Sequence, residues 1–298
     1  MSSRSWALVC AWIVAIIYGM TFTIAKDVMP KYIDAYGFIV LRVGGATLLF
    51  WLVSFLGPKE KIAKNDFLRI AACAFFGVAF NMLTFFKGLS YTSPIMGAVL
   101  MVTTPMIVLI LSSIIMKERM QSKKVIGILL GLAGTITLIL YGKALNNAPN
   151  ATLGNLLVFI NAVSYGFYLI FVKKLMDKYN AFTFVKYIYL FGFFMVLPFG
   201  YNELQVVNWN EIPLDISLQI GFVVIFSTFF TYLLNLISMR NLKPTTVAVF
   251  IYLQPFFATI FAIGLGKDNL NWVKIISATL IFVGVYLVIH KKKETSND

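Results

Sequence analysis

Ten apolar runs, each near twenty residues long and separated by short polar breaks, govern what this chain can become. They fall at approximately 6–26, 35–56, 67–88, 93–116, 123–142, 152–173, 181–200, 216–239, 244–265 and 270–290. About 20 apolar residues in a helix cross the hydrocarbon layer of a bilayer. In that layer every backbone N–H and C=O needs an internal partner, which leaves helices or a closed barrel. A barrel takes short segments of alternating polarity, and these runs are long and continuous. The expected architecture is therefore an all-α integral membrane protein with ten transmembrane helices. Composition agrees: 12% of the residues are charged, against about 25% in a water-soluble domain.

The first run, from Trp6 to about Ala25, exceeds the roughly 7–15 residues of a signal-peptide core, and no small-x-small cleavage site follows it. It reads as a permanent span. The net charge of +13 does not point to nucleic acid, because the basic residues cluster in the breaks between runs. Placing the N-terminus inside puts Arg4, the Lys59–Arg69 and Lys117–Lys124 groups, Lys173, Lys174, Lys178, Arg240, Lys243 and Lys291–Lys293 on the cytoplasmic side. The opposite side then holds only Lys26, Lys31, Lys87, Lys143, Lys267 and Lys274. That bias is the one seen for cytoplasmic loops, so both termini are expected inside. Cys10 and Cys73 lie within apolar runs and have neither disulfide nor metal-ligand spacing. His290 ends the last run as an interfacial residue. No metal or cofactor is expected.

The two halves resemble each other. A shift of 150 residues lays Pro94 on Pro244, Ala98 on Ala248, Val99 on Val249, Pro105 on Pro255, Lys117 on Lys267, Lys124 on Lys274 and Gly134 on Gly284, with Glu118 on Asp268. A shift of 147 lays Tyr18-Gly19 on Tyr165-Gly166 and Lys26 on Lys173. Matched prolines, glycines and charges carry more weight than matched leucines. The expected domains are residues 1–143 and 151–293, five spans each. An odd number of spans per copy inverts the second copy in the membrane. Inverted repeats of this kind build secondary transporters, with a site near the bilayer midplane.

Several motifs recur in the same order as in a known family. Span 1 carries Tyr18-Gly19-Met20-Thr21-Phe22, span 2 Leu41-Arg42, span 4 Thr104-Pro105 and Lys117-Glu118-Arg119, and span 5 Gly127, Gly131 and Gly134; the second half repeats Gln254-Pro255, Lys267-Asp268 and Gly284. This pattern resembles the EamA-like branch of the drug/metabolite transporter superfamily. The chain departs from it at Tyr18, where Trp is usual, at Asp268, where Glu is usual, and at Ile188, near the second-half counterpart of Arg42. The resemblance implies a carrier for small metabolites, with export of amino acids or related compounds as the leading expectation. Drugs and nucleotide-linked sugars are other cargoes of that family, and a channel-like pore is a more distant alternative. It also implies that spans of this kind line the cargo cavity.

Pro105 and Pro255 fall midway along spans 4 and 9, where each frees the carbonyl four residues earlier, at Met101 and Ile251. Paired proline-interrupted spans point to a central site. Polar residues flank both kinks: Thr103 and Thr104 in one half, Tyr252 and Gln254 in the other. Tyr18, Thr21, Asn81, Asn161, Tyr165, Tyr168, Thr231, Tyr232 and Asn235 also fall within spans. Such side chains face the bundle interior, either as interhelical hydrogen bonds or as cargo contacts. Together they outline a polar cavity with aromatic walls as the substrate-binding set.

Arg42 is the one strong charge well inside a span. Asp27 or Asp34 is the expected partner; a substrate carboxylate or phosphate is the alternative. Glu118 is expected to order the adjacent turn by pairing with Lys123 or Lys124. All twelve acids fall in loops or at span ends, so facilitated or exchange transport, or coupling through a helix-end site such as Glu118, is expected rather than a buried-carboxylate proton relay. The Gly127/Gly131 spacing suits close helix packing, either within a monomer or across a homodimer. An enzyme would need a catalytic constellation, a channel a filter or charged ring, and a scaffold a sizeable soluble domain; none is visible. The lipid bilayer and a small molecule are the expected partners, with the bacterial inner (plasma) membrane the expected location.

Overall fold

The computed structural model describes residues 2–29, 31–56, 58, 60–91, 100–140, 150–264 and 271–290, and among these there is no strand. The helices are α1 (Ser3–Val28), α2 (Ala35–Val53), α3 (Phe67–Ala74), α4 (Phe80–Tyr91), α5 (Thr104–Ile115), α6 (Ser122–Leu140) and α7 (Ala151–Met176). They continue with α8 (Ala181–Gln205), α9 (Leu214–Phe222), α10 (Thr231–Asn241), α11 (Pro244–Val249), α12 (Leu253–Gly264) and α13 (Trp272–Ile289). Among the described residues eight stretches are long and apolar enough to cross a membrane. They include three built from two helices each: α3 with α4, α9 with α10, and α11 with α12. The 12-residue α5 and 19-residue α6 occupy the two remaining apolar runs. Pro94, Ala98, Val99, Lys143, Lys267, Asp268 and Lys291–Lys293 lie outside the described residues.

The composite helices join through non-α turns. A π turn, Phe75–Ala79, links α3 to α4. A longer one, Val223–Phe230, links α9 to α10 and starts 148 residues later. A 3₁₀ turn, Phe250–Tyr252, links α11 to α12, and a turn at Val102–Thr103 precedes α5. Neither proline therefore interrupts an α-helix in its middle. Pro105 and Pro255 stand in the first turn of the segment after a break, where a missing N–H leaves no helical bond unmade. Hydrophobic patterning cannot display this, because each broken span is apolar throughout.

Helix α6 packs against α13, and α2 against α8. Around these, α4 packs on α7 as α1 packs on α10, and α5 on α7 as α1 on α12. The α6–α13 seam depends on glycine: a Cβ on Gly127 would lie 2.7 Å from the Gly284 carbonyl oxygen, and one on Gly284 2.5 Å from that of Gly127. The small-residue stripe of α6 is thus spent on close packing inside the chain. The largest apolar core gathers α2, α3, α4, α7, α8 and α10; a second one joins α1, α6, α11, α12 and α13.

The two bundle ends differ. At the end bearing most of the lysines and arginines, Glu118 pairs with Lys124, lies 3.4 Å from the Lys243 ammonium and accepts the Thr245 hydroxyl at 3.3 Å. Lys117, just before it, takes a left-handed backbone (φ 53°) that ends α5. Asp66 pairs with Lys178, accepts the Tyr179 hydroxyl at 2.7 Å and lies 3.4 Å from Arg69. The bond to Asp66, and then that to Tyr179, raises the Lys178 ammonium above the ordinary lysine value. The same bonds, that to Lys178 first, hold the Asp66 carboxyl below the ordinary aspartate value, so the latch loosens as pH falls through that lowered value or climbs through the raised lysine one. Lys173 donates to the Met239 and Arg240 carbonyls at 2.8 and 3.0 Å. At the other end Glu203, on α8 rather than in the expected loop, accepts the Gly37 N–H near the start of α2 at 2.7 Å.

Candidate functional site

Four of the sequence-predicted residues meet at one small cavity between helices. Tyr18 of α1, Tyr165 of α7, Asn235 of α10 and Gln254 of α12 line it, with Ala11, Val14, Ala15, Val247, Phe250 and Ile251. Its volume is about 10 Å³, room for about one water. Gly19 and Gly166, each next to one of the cavity tyrosines, let the neighbouring helices close in. A Cβ on Gly19 would meet Phe257 of α12 at 2.7 Å, and one on Gly166 would meet Leu111 of α5 at 3.0 Å. A larger groove, about 510 Å³, lies between α12 and α13. Phe256, Ile260, Ile275 and Phe282 line it, and its two threonines, Thr259 and Thr279, both donate to their own helices. It offers a polar cargo little to hold.

Behind the cavity stands a tyrosine cluster. The Tyr165 and Tyr168 rings lie 5.8 Å apart, and the Tyr189 and Tyr232 rings 5.0 Å apart, edge to face. The Tyr168 ring occupies the space where a Cβ on Gly77 would stand, and the Tyr252 ring does the same at Gly131. Tyr232 donates to the Gly77 carbonyl at 2.9 Å, and Ser164 to that of Phe76 at 2.8 Å; both acceptors lie in the first π turn. A π turn shifts carbonyls out of the α ladder, which frees them for such side-chain donors. Among the described residues the hydroxyls of Tyr168 and Tyr252 are buried with no hydrogen-bond partner.

Arg42 is 7% exposed. Its Nε donates to the Thr228 hydroxyl at 3.1 Å, and that hydroxyl donates to the Val223 carbonyl across the second π turn at 2.8 Å. The guanidinium lies 5.9 Å from the Phe86 ring centre. Among the described residues it forms no ion pair. The expected pairing with Asp27 or Asp34 is absent for a geometric reason. Asp34 caps α2, eight residues and so about 12 Å before Arg42, and both aspartates are exposed.

Other predicted site residues are hydrogen-bonded within the bundle. Asn81 and Asn161 bond each other's backbone: Asn161 Nδ2 donates to the Asn81 carbonyl at 2.6 Å, and Asn81 Nδ2 to the Asn161 carbonyl at 3.4 Å, clamping α4 to α7. Thr21, Thr103 and Thr104 donate to carbonyls of their own segments, Ile17, Leu100 and Met101. The Met101 carbonyl freed by Pro105 is thereby satisfied. Thr231 donates to Ser227 at 2.6 Å. Tyr189 and Thr228 went unpredicted: each sits in an apolar run, and only the helix pairing and the π turn bring them to Arg42.

A sequence profile of the EamA-like transporter family matches residues 5–140 and again 152–290. An uncharacterized transporter of Archaeoglobus fulgidus is 26% identical over 94% of this chain and 99% of its own length. Uncharacterized transporter YetK of Bacillus subtilis is 25% identical over 78% of this chain and 71% of its own. A WAT1-related protein of Arabidopsis thaliana is 23% identical over 92% of this chain and 80% of its own. A solved structure titled "Crystal structure of protein" shares the fold with a TM-score of 0.77, at 16% identity, over 95% of this chain and 96% of that one.

Proposed function

Since the chain belongs to the EamA-like transporter family, within the drug/metabolite transporter superfamily, we propose that it carries small metabolites by alternating access, with the interhelical cavity as its cargo site. Ten spans in two inverted halves, 1–143 and 151–293, surround that cavity. The observation that carries this reading is the origin of its walls: Tyr18 comes from the first half, and Tyr165, Asn235 and Gln254 come from the second. The mirrored packing supports the inversion: α1 on α10 and α12 answers α7 on α4 and α5. So do the two π turns set 148 residues apart, a spacing between the two sequence shifts of 147 and 150.

A cavity of about 10 Å³ holds no metabolite, so cargo enters only when the halves move apart. The breaks before Pro105 and Pro255 and the π turns supply points where helices bend without losing further hydrogen bonds. The Glu118 and Asp66 latches close the basic end, and they must part for release on that side. The leading cargo is an amino acid or related metabolite, exported across a bacterial plasma membrane with both termini cytoplasmic. The carrier acts as a monomer or homodimer.

Counterflow in liposomes tests this. Vesicles loaded with an unlabelled amino acid should take up the labelled form faster than empty ones, and the rate should saturate. Flux that rises linearly with concentration and ignores the loading would point to a pore. No flux for any member of a broad metabolite panel would remove the carrier reading.

A further inference from the structure

We propose that Arg42 is the anchor for a carboxylate on the cargo, so that this carrier selects carboxylate-bearing metabolites over the matched amides; the inference rests on the carrier reading above. Arg42 lies near the middle of α2 (Ala35–Val53) and is more than nine-tenths buried. Its guanidinium has five N–H donors. The Nε–H goes to Thr228, and the four N–H groups on the two Nη atoms meet no acceptor among the described residues. The Phe86 ring, at 5.9 Å, is at the outer limit of a cation–π contact. A buried cation without a counterion carries a large desolvation cost, and no described side chain offsets it.

The surroundings supply donors and lack charge of the opposite sign. The Tyr18, Tyr189 and Tyr232 hydroxyls all lie within electrostatic range of Arg42. Tyr232 is committed to the Gly77 carbonyl and Thr228 to that of Val223, and the Tyr189 hydroxyl lies beside that of Tyr232. The site is therefore short of acceptors and carries one positive charge, and a carboxylate supplies what is missing. Its two oxygens match the guanidinium fork, and its single charge balances that of Arg42. A phosphate dianion would leave one negative charge uncompensated. Tyr18 connects this place to the interhelical cavity, which it lines with Gln254 and Asn235. A cargo with its carboxylate at Arg42 would lay its remaining polar groups against those two amides.

The experiment compares matched probes, leucine with leucinamide and phenylalanine with phenylalaninamide, by counterflow and by thermal stabilisation of the purified protein. Wild type should favour the carboxylate at least tenfold. Arg42→Gln should abolish that preference, and Arg42→Lys should keep part of it, since it retains the charge and loses the fork. Without cargo, Arg42→Leu should melt no lower than wild type, because it removes an uncompensated buried charge; a clear fall in melting temperature would mark Arg42 as structural and overturn the proposal. Thr228→Val, which removes the hydroxyl that orients Nε, should raise KM for the carboxylates several-fold and leave the amides unchanged. Wild-type flux with an unchanged preference in Arg42→Gln would overturn the anchor while the carrier reading stands. Tighter binding of a phosphate monoester than of the matched carboxylate would overturn the charge count. No flux or stabilisation by any of these probes in wild type would overturn the anchor for this cargo class, and only silence across the broad metabolite panel would remove the carrier reading as well.

Discussion

The π turn between α3 and α4 and the π turn between α9 and α10 bend corresponding stretches of the two halves, yet their chemistry differs. The first presents bare carbonyls, at Phe76 and Gly77, to Ser164 and Tyr232 of the other half. The second bonds itself through Thr228 and offers that hydroxyl to Arg42 of the other half. The same inequality separates α2 from α8: Arg42 stands in one, and Ile188, fully apolar and buried, stands near its counterpart in the other. The cation of α8, Lys186, instead lies over the Trp51 and Tyr187 rings. Under the proposed carrier reading, this asymmetry suits a cargo with one distinctive end.

The sharpest way to break this comparison is to give the second half its own cation. Ile188→Arg should destabilise the protein by at least about 3 kcal/mol, since no acceptor awaits the charge, and the check is chemical unfolding in detergent. A near-neutral result would mean that α8 is as ready for a charge as α2. Next in size are the two ring-on-glycine contacts. Gly77→Ala and Gly131→Ala each push a Cβ into a tyrosine ring, Tyr168 and Tyr252, and each should cost about 2 kcal/mol. A harmless substitution at either one would show that its tyrosine moves aside. Smallest are the mirrored clamps. Asn161→Ala removes a donor to Asn81 between α4 and α7 and should cost about 1 kcal/mol; Ser238→Ala removes the bond to the Ala7 carbonyl between α1 and α10 and should cost about 0.6 kcal/mol. The reverse order would place the stronger clamp in the other pair.

Much of the architecture was legible because bilayer crossing is written in run length. The eight long apolar helices fall on eight of the ten runs, and the two family-profile matches cover the stretches in which the repeat was read. The breaks were legible only at the prolines. The π turns leave no mark on an unbroken apolar run such as 216–239, and with them went Thr228 and the hold on Arg42. Among the site residues, pattern reasoning found the polar side chains and could not sort them. Tyr18 and Gln254 differ from Asn81 and Thr104 only in which neighbours their helices meet. The pairing expected for Arg42 failed because Asp34, though close in sequence, is two helical turns away along the same axis.

The central claim is a site that opens to each side in turn, and accessibility of Gln254 tests it most directly. In a background with Cys10 and Cys73 replaced, Gln254→Cys would be treated with a membrane-impermeant maleimide from the outside of oriented vesicles and, separately, from the inside. The account predicts labelling from both sides, slowed by a transported cargo, even though the closed cavity is about 10 Å³. Labelling from one side only, or from neither while flux continues, would contradict it.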